Sequence, residues 1–294
     1  YPHQNGVWCN SIALYDNVRS VGERLSDDGV HCAYIGKWHL DGGDYFGLGT
    51  PAPGWDAEAW YDMRNYINEL SEADRVRSRK PTTSFDPDIT EEFTYAHRCS
   101  DRAKEFIEKH KGEDYFLVVS YDEPHHPFLC PQPYADMYKD MPAVRFENEA
   151  DDLMDKPVHH QVWADFFDGN YAYTHEQFAH HFLGCNSFVD YEMGRVIDSI
   201  DTHAPEAMVM YLSDHGEMMF SHQLVKKGPV MYDEIANIPL IIRWSGQAPE
   251  NYACETPISL IDITPTLLDL FCSEIPPFIS GKSLLKDLKA PHER

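Results

Sequence analysis

The stretch NVRSVGERLSDDGVHCAYIGKWHL, residues 17–40, carries two periods in succession. Val18, Val21 and Leu25 recur at helical spacing between Asn17 and Asp28, Gly29 stops the pattern, and Val30 to Ile35 is a short apolar run that reads as a buried strand. A helix feeding a strand that ends in the polar run Gly36-Lys37-Trp38-His39-Leu40 is the building unit of an α/β domain.

The unit recurs along the chain. Thr90 followed by Glu91 and Glu92 reads as a capped helix start, and Phe93, Ala96, Cys99, Ala103, Phe106 and Ile107 form its apolar stripe before a strand at Tyr115 to Tyr121. Glu176 to Ile200 places Phe178, Phe182, Val189, Met193, Val196 and Ile197 at helical spacing ahead of a strand at Ala207 to Leu212, and Ile238 to Ile242 is one strand more. The expected fold is α/β, a mixed, mostly parallel sheet sandwiched between helices. Two segments have no sustained period: Asp41 to Pro87, a long surface excursion of the kind that shapes pockets, and Pro131 to Thr174, with an acidic cluster at Glu147 to Asp152 and aromatics at Trp163, Phe166, Phe167, Tyr171 and Tyr173. No repeat and no dividing linker is visible, so residues 1–294 read as one α/β domain.

Charge narrows the function classes. With 24 Lys+Arg against 49 Asp+Glu the formal charge is −25, and protonating all 16 histidines leaves it negative. Nucleic acid is excluded as the expected partner, because phosphate backbones are held by surplus cations. An anionic ligand has to be met by a local cationic pocket or a metal ion set against the overall field. No apolar run approaches the ~18 residues of a membrane span, and the 7 cysteines show no CxxC spacing, so they read as core thiols.

Three polar clusters follow predicted strands directly, where open α/β sheets bind their ligands: Gly36 to Leu40, Tyr121-Asp122-Glu123-Pro124-His125-His126-Pro127, and Ser213-Asp214-His215-Gly216-Glu217. Lys37 and His39, two residues apart in extended chain, would point to one side and clamp an anion together. Prolines on either side of His125 stiffen its loop. Asp214 and His215 offer an oxygen and a nitrogen suited to a divalent cation if a turn at Gly216 aims both inward; taken alone, the pair reads more readily as a hydrogen-bonded loop end.

Together these runs resemble the sulfatase family of the alkaline-phosphatase superfamily. The resemblance rests on Gly36-Lys37-Trp38-His39-Leu40, Pro124 to Pro127, Ser213 to Glu217, Lys227-Gly228 with Tyr232-Asp233-Glu234 and Ile238 to Ile242, and Asp262-Ile263-Thr264-Pro265-Thr266-Leu267-Leu268, all in the family's order. It extends from Tyr1-Pro2-His3-Gln4-Asn5-Gly6 to Gly281-Lys282-Ser283-Leu284, and Tyr34 to Gly47 and Val118 to Phe128 look most like one group of bacterial members. The resemblance implies hydrolysis of a sulfate monoester by a formylglycine nucleophile. It assigns Lys37 to the nucleophile and sulfate, His39 to proton removal, His125 and Lys227 to sulfate oxygens and leaving alcohol, and Asp214 and His215 to a metal, calcium first, with manganese, zinc or iron also compatible with a nitrogen donor. The expected substrate is a small or carbohydrate sulfate ester.

The sequence also departs from the family pattern. No cysteine is followed by the family's x-Pro/Ala-x-Arg, so the nucleophile is expected upstream of Tyr1 together with two further metal-binding aspartates, and residues 1–294 read as an incomplete catalytic domain. Asp-His in place of Asp-Asn is shared with phosphonate monoester and phosphodiester hydrolases, the alternative within enzymes; a non-catalytic sulfate-ester binding module is the alternative outside them. His222 is a candidate for lining the pocket, and Glu217 either supports the site or is a solvated carboxylate. Lys226 is expected to diverge from Lys227, Trp38 and Trp55 to pack, and His126, His159, His160, His180 and His181 to lie at the surface or in packing. The scattered cysteines and the resemblance together point to the bacterial cytoplasm, with the periplasm as alternative.

Overall fold

Ser20 sets the start of the first of the predicted helices in the computed structural model, which describes residues 2–142, 144–168 and 170–289. Its hydroxyl accepts from the Glu23 amide at 3.2 Å and caps Val21–Asp27, so Asn17 to Arg19 stay outside a helix that begins four residues later than the periodicity placed it. The chain then enters β1, His31–Gly36, which pairs in parallel with β2, Tyr115–Ser120, from His31 opposite Tyr115 to Gly36 opposite Ser120. β3, Val209–Leu212, pairs antiparallel with β4, Leu240–Arg243.

The α/β class with mixed strands therefore holds. Among the described residues the strands form one parallel and one antiparallel pair rather than a single, mostly parallel sheet. Between β3 and β4 the longest helix is the four-residue Asp233–Ala236, too short to serve as a crossover, and the chain returns antiparallel.

Two long helices carry most of the core. Thr94, rather than Thr90, caps Tyr95–Lys109 through the His97 amide at 3.3 Å; Thr90 opens a separate 3-10 turn, Glu91–Phe93, with no side-chain cap. The whole predicted stripe from Phe93 to Ile107 is buried, and its C-terminal part packs with Ala33, Ile35 and Val196. His175–His203, closed by a Thr174/Gln177 capping box, buries Phe178, Val189 and Val196 but leaves Ile197 38% exposed, one position off the buried stripe.

The excursion from Asp41 to Pro87 is more ordered than its composition implies. It holds the helices Met63–Glu69 and Glu72–Arg77, each too short to display a period, and Tyr61 bridges Ile35 beside β1. The second irregular segment holds Val158–Phe167. Cys32, Cys99, Cys130 and Cys185 are buried thiols, whereas Cys9, Cys254 and Cys272 are exposed. No helix among the described residues is long and apolar enough to cross a membrane.

Candidate active site

The C-terminal ends of β1 and β2 deliver the first two charged groups. Gly36 makes this possible: at φ 130° it lies so close to β2 that a Cβ would sit 2.0 Å from the Ser120 carbonyl oxygen, and the next amide, Lys37, donates to that oxygen at 2.8 Å. Lys37 Nζ then lies 2.9 Å from Asp122 Oδ1 and 3.3 Å from the Tyr45 hydroxyl, which also donates to Asp122. Burial opposes ionisation of Asp122, yet Lys37, His125 and the hydrogen bonds from Tyr45 and Lys37 outweigh it and hold the carboxyl below the usual range.

Tyr45 is the hub of the site. Its ring lies 4.7 Å from Lys37 Nζ, 5.6 Å from the His39 ring and 5.2 Å from the His125 ring. Lys37 and His39 do converge, but not by strand alternation: β1 ends at Gly36 and His39 adopts φ 57°, so a left-handed turn brings its ring round to Tyr45. Tyr45 and Asp122 were not singled out from the sequence as site residues. Asp122 stood within a cluster that was, whereas Tyr45 lies in the excursion and carried no signal.

Both histidines are kept uncharged. Burial, then the charges of Lys37 and Lys227, lower His39. His125 is lowered to about 4, by burial first and by the same two lysines, against the pull of Asp122. Its Nδ1 lies 2.8 Å from the His126 carbonyl, so Nδ1 carries the hydrogen and Nε2 is left as a free acceptor. His126 stacks on it at 4.4 Å and is itself lowered to about 3, mainly by burial, which makes it a packing partner inside the site.

Lys227 stands in the same field. Burial and then Lys37 lower its amine, while Asp214, Asp122 and Glu217 act the other way. Lys226 diverges as neighbouring side chains do, with its ammonium 4.8 Å from the Phe167 ring centre. Glu217 is half-buried, with Oε1 shielded from solvent and without a partner, and burial pushes its carboxyl up to about 7. His222 belongs elsewhere, bound to Asp151 at 2.6 Å and stacked on Tyr232 at 4.0 Å. Trp38 and Trp55 pack with Tyr34 and Trp60.

Asp214 and His215 form a pair of donors. Asp214 Oδ2 and His215 Nε2 are 3.3 Å apart, close to the separation of two neighbouring ligands around one ion at metal–ligand distances of roughly 2.1–2.4 Å. His215 Nδ1 is taken up by the Gly216 carbonyl at 2.8 Å, which leaves Nε2 to ligate. The pair fits a divalent cation, although among the described residues it belongs to no cluster of three such donors. Gly216 contributes close approach rather than a left-handed turn, since a Cβ there would meet the Glu234 carbonyl oxygen at 1.9 Å.

Beside His125 opens a cleft of about 250 Å³ walled by Tyr45, Phe46, Tyr66, Tyr95 and Leu129, with Glu123 and Arg79 also lining it. The exposed Arg79 guanidinium lies 3.8 Å over the Phe46 ring.

The same α/β fold is found in solved structures of other proteins. The phosphonate monoester hydrolase of Silicibacter pomeroyi superposes with a TM-score of 0.76 at 20% identity, over 100% of this chain and 66% of that one. A structure solved in complex with its substrate D-glucosamine-2-N,6-O-disulfate gives a TM-score of 0.70 at 18% identity, over 99% of this chain and 68% of that one. The sulfatase family profile matches residues 1–273, and the chain belongs to the sulfatase family. It is 43% identical over 300 residues to the uncharacterized sulfatase YidJ of Escherichia coli, over 97% of this chain and 58% of that protein's length.

Proposed function

We propose that the full-length protein hydrolyses a sulfate monoester in the pocket formed by Lys37, His39, His125 and Lys227. The observation that carries this reading is the convergence of Lys37 and two uncharged histidines on the Tyr45 ring, within the electrostatic reach of Lys227, in a chain of formal charge −25. Lys37 and Lys227 bind the sulfate oxygens, and negative charge grows on the bridging oxygen beside His125 as the ester bond breaks. Burial first, and then the field of these same lysines, depresses His125; a bound anion offsets the lysines' share and favours uptake of a proton that His125 can pass to the leaving alcohol. His39, uncharged, is ready to accept a proton on the nucleophile's side of the reaction. Asp122 neutralises part of the cationic charge and, with Tyr45, holds Lys37 in place.

Asp214 and His215 would hold the metal, calcium by family resemblance, with manganese, zinc or iron as the alternatives a nitrogen donor admits. A divalent ion there supplies Lewis acidity toward the sulfate group. Residues 1–294 contain no Cys-x-Pro/Ala-x-Arg run, so the formylglycine nucleophile belongs to sequence outside them. The leaving alcohol, a small or carbohydrate group, occupies the aromatic cleft beside His125.

The test is turnover of an aryl sulfate by the full-length protein and its Lys37→Ala, His125→Ala and Lys227→Ala variants, with folding checked by circular dichroism. Each change should lower kcat/KM by roughly 10²–10⁴. Near-normal turnover in all three would remove the assignment. His215, a nitrogen donor beside Asp214, favours phosphonate monoester or phosphodiester hydrolysis as the second reading. Faster turnover of an aryl phosphonate or bis-aryl phosphate would transfer the assignment there. Binding of the sulfate ester without turnover would leave a binding module.

A further inference from the structure

We propose a second divalent-metal site, built for zinc, at the opposite end of β1 from the anion pocket. His31 opens that strand, and His110 and Glu113 lie where the helix Tyr95–Lys109 turns toward β2. One donor atom from each of His31, His110 and Glu113 lies within 4.8 Å of the other two. The two imidazoles meet edge-on with centroids 4.7 Å apart. Two imidazoles on one tetrahedral ion at a metal–nitrogen distance of ~2.0–2.1 Å have a similar spacing, roughly 5 Å.

The surroundings prepare these rings to ligate. Asp56 Oδ2 lies 2.7 Å from His31 Nε2. A carboxylate only accepts, so Nε2 carries the hydrogen and Nδ1 presents its lone pair, the arrangement in which an outer carboxylate orients a metal-binding histidine. Phe106 fixes both rings, with centroids 5.3 Å from His31 and 4.4 Å from His110. Glu113 holds His110 Nδ1 at 2.9 Å, but its side chain is 58% exposed and free to turn onto an ion. His110 and Asp56 line an open depression whose basic residues are Arg102, bound to Glu69 at 2.6 Å, and Lys109, 3.7 Å from Glu58.

The contrast with the other three-donor cluster is informative. Glu91, His97 and Glu192 already hold a cation among them: Arg195 lies 2.6 Å from Glu192 and 3.1 Å from His97 Nδ1. At His31, His110 and Glu113 no lysine or arginine pairs with either Asp56 or Glu113 among the described residues. Two nitrogens and one carboxylate oxygen suit zinc and are a poor set for calcium, which takes six to eight oxygens. Extended strand geometry puts His31 roughly 20 Å from Lys37, so an ion here is not the one that Asp214 and His215 would hold. Bound zinc would tie the start of β1 to the turn before β2 and stabilise the fold by mass action.

The experiment uses full-length protein freed of metal by chelation and carrying Asp214→Asn, so that the family's metal pair is disabled. Zinc titration followed by calorimetry should show one equivalent bound, and cobalt should give the visible bands of a nitrogen-ligated ion. His31→Gln and His110→Gln added singly should each lower zinc affinity at least a hundredfold and abolish the zinc-induced rise in Tm. Asp56→Asn should weaken binding roughly 10–100-fold. Circular dichroism and Tm in chelator, unchanged across the set, separate loss of the site from loss of the fold. No zinc uptake by the Asp214→Asn protein, or uptake unaltered by both histidine substitutions, would overturn the proposal.

Discussion

Replacing Glu123 by Gln should stabilise the protein at neutral and alkaline pH, although the residue is buried and hydrogen-bonded. Glu123 Oε1 accepts from the Tyr95 and Ala96 amides at 3.0 Å each, and Oε2 has no partner. Burial, and then the charge of Asp122, push the carboxyl up to about 7 from an ordinary value near 4.5, against the backbone amides that favour its charged form. A carboxyl whose folded pKa is raised contributes stability that is fully present below the unfolded value and is lost as pH rises through the folded one. A rise of roughly 2.5 units at 1.36 kcal/mol per unit makes that loss about 3 kcal/mol between pH 4.5 and pH 8.

Glutamine keeps an acceptor for the two amides and has no charge to bury at any pH. The difference in unfolding free energy between Glu123→Gln and the parent should therefore grow in the variant's favour by about 3 kcal/mol across that window. Urea titrations of both proteins from pH 4.5 to pH 8.5 measure it, and other titrating groups largely cancel in the difference. In an Asp122→Asn background the growth should shrink, because the neighbouring charge is gone. A difference constant to within about 0.5 kcal/mol over the window, or one that grows in the parent's favour, would refute the reasoning.

Two further outcomes follow from local geometry. Gly36→Ala should destabilise by about 3 kcal/mol in urea unfolding and displace Lys37, because its Cβ would meet the Ser120 backbone at 2.0 Å. Gly29→Ala, left-handed at φ 88° but with nothing within 4 Å, should lose only about 1 kcal/mol. Arg79→Gln should lower kcat/KM about tenfold for an aryl sulfate bearing a carboxylate on its leaving group and change little for an uncharged one, since the exposed guanidinium at the cleft can form a partly screened ion pair. Equal losses on both substrates would remove that role from Arg79.

Much of this was legible in the linear chain. Ala96, Cys99, Ala103, Phe106 and Ile107 share one helical face by spacing alone, and short apolar runs between breakers mark the strands, because burial acts on every residue of such a run. The clusters carrying Lys37, His39, His125, Asp214 and His215 were visible because strand ends expose whatever polar residues follow them, whereas Lys227 was legible only through the family resemblance. What tertiary structure alone decided is which of these side chains meet, and through what. Tyr45 joins Lys37, His39, Asp122 and His125 from inside a segment with no period, and Asp122 acquires its role only when β2 lies beside β1 in register. The left-handed turn at His39 and the pairing of His31 with His110, 79 positions away, depend on backbone geometry and on contacts between distant elements. Local spacing encodes which face of an element is buried; the distances between charges that set pKa values and ligand geometry exist only once separate elements have packed.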